Sequence, residues 1–481
     1  MGKLTNIFKD TAIYGLSSII GRFLNYLLVP LYTAQLSAAS GGYGIITNIY
    51  AYVALVLVLL TFGMETTYFR FTNKTHTDSQ TVYGTTLITV GSISLAFAVL
   101  VLVFLSPVSQ LMGYGDHPDY VGVMAVTVAI DSFLCIPFAH LRQQKKALKF
   151  ASLKLLNIIV SIILNVIYFH YMDGKDVGYA FYINLVCTVM LAVCLLTEYT
   201  GFRWVLDRKL LRTMLSYSWP ILILGLAGIL NQTADKMLFP YIYQGDDMLM
   251  QLGIYGACSK IAMIMAMITQ AFRFAYEPIV FAGVKDKDQH EMYAKAMKYF
   301  IIFTLLAFLI VVGYMDILKY IVRNQDYWVG LKVVPIVMAA EIMMGVYFNL
   351  SFWYKVIDKT IWGAIFSGIG CAVLLVVNII FVPRYGYMAC AWGGFAGYGV
   401  AMLISYFVGQ KYYPINYPMK EISFYVVLAF VLYGFMRAAD DWTPIFSMAF
   451  NTLLILLFAG IIIYRDLPLA HLPVIGKYFK K

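Results

Sequence analysis

A few ionisable residues lie deep inside apolar segments, where charge is expensive and marks function by default: the cations Arg22, Lys236, Lys260 and Arg273, and the acids Asp131, Asp235 and Glu341. Cations at several depths could conduct a phosphate group, Arg through its planar fork and Lys as a mobile point charge. Membrane carboxyls could exchange H+ or Na+, because desolvation raises a carboxyl pKa and a nearby cation lowers it. Each residue also has a plainer reading. Arg273 and Glu277 stand four apart and could form only an intrahelical pair, Lys236 could extend its stem to the interface, and the acids could simply tie helices together. Asp235 and Lys236 are adjacent, so on a helix they point about 100° apart and need not pair, whereas Asn231, one turn earlier, could hydrogen-bond Asp235. Metal chemistry finds no pattern: His140 and His170 fall near opposite membrane faces with no second ligand at metal spacing. The cysteines (Cys135, Cys187, Cys194, Cys258, Cys371, Cys390) sit in apolar segments with no CxxC pair and read as core residues. Gly41-Gly42 reads as a turn rather than a phosphate loop.

The elements that position these groups must be membrane helices. Of 481 residues, 61% are hydrophobic and 12% charged, with a mean hydropathy of +0.77; a water-soluble domain carries about twice that charge. Charge-free stretches run from Phe23 to Met64, Ser79 to Gly115, Ile361 to Val382 and Trp442 to Tyr464, each long enough for the roughly 20 residues a spanning helix needs. The expected class is an all-α polytopic membrane protein of about 14 spans. Arg22 falls in span one (11–35), Asp131 in span four (119–140), Asp235 and Lys236 in span seven (215–243). Lys260 and Arg273 fall in span eight (252–278) and Glu341 in span ten (329–353). Span one, interrupted by Arg22 and Asn25, fits a cleaved signal peptide poorly. The spans and their short turns leave no space for a separate catalytic or nucleotide-binding domain, so the chain is not expected to be an enzyme.

Charge asymmetry orients the spans. Arg142, Lys145, Lys146, Lys149 and Lys154 share one side with Arg208, Lys209, Arg212, Lys295 and Lys298, while residues 36–43, 106–118 and 244–251 hold no Lys or Arg. The positive-inside rule then puts both termini in the cytoplasm. The net charge of +10 follows from this bias and suits anionic lipid headgroups rather than nucleic acid.

The halves repeat. Asn25 and Pro30 recur as Asp235 and Pro240, Tyr43-Gly44 as Tyr255-Gly256, and Leu164-Asn165-Val166-Ile167 as Val377-Asn378-Ile379-Ile380. An even number of spans separates equivalent points, so the lobes should be parallel, related by an axis along the membrane normal, and should enclose a cavity open to one side at a time. The expected domains are six-helix lobes at 1–200 and 213–412, two further helices at 421–464 and a basic cytoplasmic tail at 465–481.

Three motifs carry a family resemblance across the whole chain. Trp219-Pro220 with Asn231-Gln232-Thr233-Ala234-Asp235-Lys236 and Leu252-Gly253-Ile254-Tyr255-Gly256-Ala257 is the first, and Gly63-Met64-Glu65-Thr66-Thr67-Tyr68-Phe69-Arg70-Phe71 the second. Pro383-Arg384-Tyr385-Gly386-Tyr387-Met388-Ala389-Cys390-Ala391 is the third, with Ala389 and Cys390 where glycine and alanine are more usual. The sequence resembles the polysaccharide flippase branch of the superfamily that also contains multidrug and toxin extrusion transporters and lipid II flippases. The resemblance implies alternating-access transfer of a polyprenyl-pyrophosphate-linked oligosaccharide for surface polysaccharide of the lipopolysaccharide type. It also implies a place in the bacterial cytoplasmic (inner) membrane, action as a monomer, no cofactor, and coupling to H+ or Na+. On that expectation Arg22, Lys236, Lys260 and Arg273 line the substrate path, and Asp131, Asp235 and Glu341 are the coupling candidates. A drug or cation antiporter of the same superfamily is the alternative, disfavoured by the extra pair at 421–464. A membrane enzyme of glycan assembly would need a larger outward loop. The aromatics Tyr347, Phe348, Phe352, Trp353 and Tyr354 read as an interface belt or, more sharply, as a sugar-stacking surface.

Overall fold

A computed structural model describes residues 26–73, 78–172, 176–199, 204–281, 288–357, 359–439 and 442–466. Every regular element among them is helical. Among the described residues twelve helices are long and apolar enough to cross a membrane, and Gly178–Cys194 is a shorter apolar one; the protein is a multi-pass membrane protein. Large apolar side chains point outward along these helices, Phe430 at 74% exposure among them, which in a soluble protein would be an aggregation liability and here is surface for lipid. Most of the first expected span, with Arg22 and Asn25, lies outside the described residues, as does the tail beyond 466.

Several helices begin earlier than hydropathy alone suggests. Hydropathy alone puts a span at 155–172, where the structure has a helix from Ala147 to Val166 continued by Ile167–Tyr171, so Lys154 belongs to the helix and not to a connection. The expected span 215–243 starts at Arg208, because Asp207 caps it by accepting from the backbone N–H groups of Lys209 (2.9 Å) and Leu210 (3.0 Å). Pro220 and Pro240 lie inside that helix, as neighbouring groups in a membrane bundle permit. Phe62 and Gly63, both left-handed, split Gly42–Thr61 from Met64–Thr72. A side chain at residue 63 would meet Ile221 Cγ2 at 2.9 Å.

The chain forms two compact units. The first holds the residues up to Ala257, with Arg323–Val329 and Gly363–Gly397. Its buried centre includes Tyr68, Tyr83, Leu87 and Ile136. Polar groups add the directional contacts that membrane helices need, since lipid supplies no hydrophobic drive between them. Tyr32 donates to Asn165 Oδ1 at 2.7 Å, Thr67 and Ser218 share a 2.6 Å bond, and Tyr68 meets His140 Nδ1 at 2.8 Å. At one end Glu198, its side chain 5% exposed, accepts from Lys149 Nζ at 2.6 Å with Lys146 Nζ at 3.6 Å. Burial alone would raise the Glu198 pKa; the bond and charge of Lys149, with the charge of Lys146, hold it below the ordinary value.

The second unit holds Cys258–Val322, Gly330–Trp362 and the residues from Tyr398 onward. Here the pair Met419–Ala438 and Pro444–Arg465 packs on Asp288–Gly313 through Phe300, Leu309, Tyr425 and Phe458. Asn451 Nδ2 donates to Gly313 O at 3.0 Å, and Tyr314 and Thr452 share a 2.8 Å bond. Lys298, largely buried, donates to both Glu421 and Asp466, and Tyr425 also donates to Asp466. The Asp466 carboxyl, raised by burial but lowered more by Lys298 and Tyr425, titrates below its usual range. A depressed folded pKa gives stability that is present at neutral pH and lost as pH falls through the folded value. Lys298→Met should therefore lower unfolding stability by about 3 kcal/mol by leaving two carboxylates without their cation. Thermal unfolding in detergent checks this, and adding Asp466→Asn to the variant should recover part of the loss.

Candidate functional site

The described residues that the sequence offers as candidates for a substrate path or for coupling divide between the units. In the first, Asp235 lies on Arg208–Ile242 and is 5% exposed. Its Oδ1 accepts from the Lys236 backbone N–H at 2.9 Å, its two oxygens lie 3.1 Å from Lys236 Nζ, and its Oδ2 accepts from Tyr255 at 2.7 Å. The adjacent pair, which the helical wheel left open, does meet, because the Lys stem is long enough to fold back along the helix and donate also to Gln232 O at 3.0 Å. Asn231 does not direct its amide nitrogen to Asp235; Nδ2 donates to Ala227 O and Ser367 O, both at 2.8 Å.

The Lys236 carbonyl accepts from Asn48 Nδ2 at 2.8 Å, and Asn48 Oδ1 accepts from Tyr114 at 2.8 Å. These bonds join Gly42–Thr61 to Arg208–Ile242. Beside them the start of Met248–Phe281 approaches Gly42–Thr61 at backbone distance. A Cβ on Gly44 would fall 2.0 Å from Leu249 O, and one on Gly256 would fall 2.1 Å from Thr47 Oγ1. Only glycine allows this crossing. The two Tyr-Gly pairs that the repeat matches in sequence both lie inside helices, Gly42–Thr61 and Met248–Phe281, and each packs against the other's helix.

Asp131, half-buried on Pro118–Gln143, accepts from Thr188 Oγ1 at 3.1 Å and lies near enough to Lys154 for their charges to interact. Sequence reading placed Lys154 among cytoplasmic connections and missed this neighbour. The available signal was the unbroken helical run back to Ala147. Lys154 Nζ also sits 4.1 Å from the Phe138 ring centroid.

In the second unit Lys260 and Glu341 are half-buried, on Met248–Phe281 and Val334–Leu350. Arg273 is exposed, with its guanidinium 5.2 Å from the Phe348 ring centroid; the Glu277 side chain lies outside the described residues. The aromatic cluster is packed inward rather than presented as an interface belt. Trp353 is 2%, Phe352 5% and Tyr354 5% exposed, and Trp353 stacks on Tyr412 at 6.3 Å.

With the carboxylate at Asp235 accepting from three donors, Asp235→Asn should cost roughly 2 to 4 kcal/mol, since the amide replaces one acceptor by a donor facing Lys236 or Tyr255. Denaturation of the purified variant in detergent measures it; a change under 1 kcal/mol would show the pair to be energetically idle.

This architecture is shared with solved membrane carriers. A lipid II flippase, MurJ, in an inward closed conformation matches with a TM-score of 0.75 at 14% identity, over 94% of this chain and 98% of that one. An inward-facing multidrug resistance MATE transporter of the MOP superfamily matches at 0.65 and 13%, over 81% and 94%. A Vibrio cholerae MATE transporter matches at 0.53 and 12%, over 85% and 96%. No curated protein matches in sequence. The class is therefore the MurJ and MATE fold. Within it, the sequence model of the polysaccharide biosynthesis protein family matches residues 7–278, more than half of the chain, and the protein belongs to that family.

Proposed function

We propose that the protein is an alternating-access transporter that flips polyprenyl-pyrophosphate-linked oligosaccharide across the bacterial cytoplasmic membrane, with both termini cytoplasmic. The observation that carries this reading is the family match combined with a flippase-like fold over 94% of the chain. The C-terminal pair Met419–Ala438 and Pro444–Arg465 is built into that fold through a buried ion network. The MATE carrier matches over 81%, and cations along the path would repel the cationic drugs of an antiporter. Arg22, Lys236, Lys260 and Arg273 meet the pyrophosphate in turn, with the Lys236 charge shared with Asp235 until substrate competes for it. Asp235 is the first coupling candidate, followed by Glu341 and Asp131, since a carboxyl couples only if its protonation or ion occupancy differs between the two access states. In this reading the glycine crossing of Gly42–Thr61 with Met248–Phe281, next to the loops 36–43 and 244–251 that carry no cation, closes the outer side.

The test is reconstitution in proteoliposomes. Transfer of a polyprenyl-pyrophosphate glycan, faster under an imposed pH or sodium gradient, is expected, with no gradient-driven uptake of a cationic dye. Dye uptake without glycan transfer would replace the flippase by the antiporter.

A further inference from the structure

The segment Arg323–Val329 belongs by its packing to the first unit, while the chain on both sides of it, up to Val322 and from Gly330, belongs to the second. It docks on the turn that joins Leu28–Gln35 to Gly42–Thr61. Arg323 donates its backbone N–H to Thr33 Oγ1 at 3.1 Å, and the Tyr327 hydroxyl donates to Leu36 O at 2.9 Å. Leu36 closes the helix Leu28–Gln35, where the last carbonyls have no partner within the helix and need one from outside. The Tyr327 ring meets Tyr43 edge to face with 6.2 Å between centroids, and Tyr387 donates to Val329 O at 3.3 Å.

Two features suit this docking to release. Within the segment only Tyr327 is buried, at 0% exposure, whereas Arg323, Gln325, Asp326 and Val329 are exposed. One aromatic side chain thus carries most of the docked surface, and elements with few buried contacts open at low cost. The second feature is the backbone. Gln325–Val333 is a 3-10 helix of 9 residues that runs directly into the α-helix Val334–Leu350. Such runs are usually no longer than about three or four residues, and a stretch of this kind in line with an α-helix often marks a hinge. Rewinding it as α-helix, from a rise of about 2.0 to about 1.5 Å per residue, would draw its start back by about 4 Å, far enough to break the bond to Leu36.

We propose that Arg323–Val329 is a latch on the outer side of the carrier, docked while the glycine crossing of Gly42–Thr61 with Met248–Phe281 is closed and released when that crossing opens. Tyr43 links the two events. Its ring receives Tyr327, and the next residue, Gly44, is the one whose bare backbone lies against Leu249. Parting the crossing therefore moves the seat of Tyr327, and an intact latch favours the closed state. The latch rests on the alternating-access reading above, though not on what the carrier moves.

Hydrogen–deuterium exchange of the full-length protein in detergent, read by mass spectrometry on peptides covering 323–329, tests the latch without transport. Tyr327→Phe keeps the ring and removes the hydroxyl. It should speed exchange in the segment about threefold to tenfold, while Asp288–Gly313 exchanges as in the parent and shows that the variant is folded. Tyr387→Phe, which releases the other end, should act in the same direction and serves if the first variant does not fold. A disulfide between Thr47→Cys and Gly256→Cys holds the crossing shut, and should slow exchange of the segment at least about threefold relative to the reduced form of the same protein. Unchanged exchange in both tyrosine variants, or equal exchange in the cross-linked and reduced forms, would overturn the proposal. A segment that responds to both changes in a protein that moves no glycan keeps the latch and loses the flippase reading. Glycan transfer by a protein whose segment responds to neither does the reverse.

Discussion

A disulfide between Thr47→Cys and Gly256→Cys is expected to stop glycan export, and a reducing agent to restore it. A Cβ at position 256 would lie 3.0 Å from Thr47 Cβ, whereas a disulfide holds its Cβ atoms about 3.5 to 4.5 Å apart. A shift of roughly half an ångström suffices, and the two helices are then joined by covalent bond at their closest crossing. An alternating-access carrier populates two states, and a ligand drives it round only if both stay reachable. On the proposed reading this crossing opens in one of the two states, so holding it shut should cut export by at least about tenfold, a barrier of 1.4 kcal/mol or more. The reduced double variant is the control, since a side chain at residue 256 already presses on Thr47. Mass spectrometry confirms the bond. Normal export by the verified cross-linked protein would show that this crossing does not open.

Removing one path cation should be nearly as severe. Lys260→Ala and Arg22→Ala are each expected to cut export about tenfold to a hundredfold at unchanged abundance in the membrane. A charge-assisted hydrogen bond to phosphate is worth about 1.5 to 3 kcal/mol, and each 1.4 kcal/mol is a factor of ten. Lys260→Arg should keep part of the activity, because the charge survives while the geometry changes. Abundance must be followed alongside export, since a carboxylate left without its cation could unfold the bundle. Near-normal export in both alanine variants at parental abundance would remove the cationic path.

The class of fold was legible because hydropathy is a local property. Twenty apolar residues announce a spanning helix wherever they pack, and the motif around Asp235 has an order and spacing of its own. Contacts between distant segments were not legible. Nothing in the run from Met419 to Arg465 shows that its partner is Asp288–Gly313, because lipid-facing and helix-facing residues are equally apolar there. The aromatic cluster around Trp353 looked like an interface belt for the same reason, since composition does not say which side of a helix is covered. Lys154 was misplaced by a boundary, the helix beginning at Ala147 instead of 155. A helical wheel left the Asp235–Lys236 pair undecided, because it does not show that a lysine stem has the reach to return to its neighbour.

The central claim is movement of a lipid-linked glycan from the inner to the outer face of the membrane, and the sidedness of that glycan after depletion of the protein tests it most directly. In spheroplasts prepared from depleted cells, polyprenyl-pyrophosphate-linked oligosaccharide should accumulate and stay out of reach of an externally added glycan-cleaving enzyme or lectin. Restoring the protein should expose it. Accumulated glycan that is already accessible from outside in depleted cells would contradict the account, placing the protein after translocation.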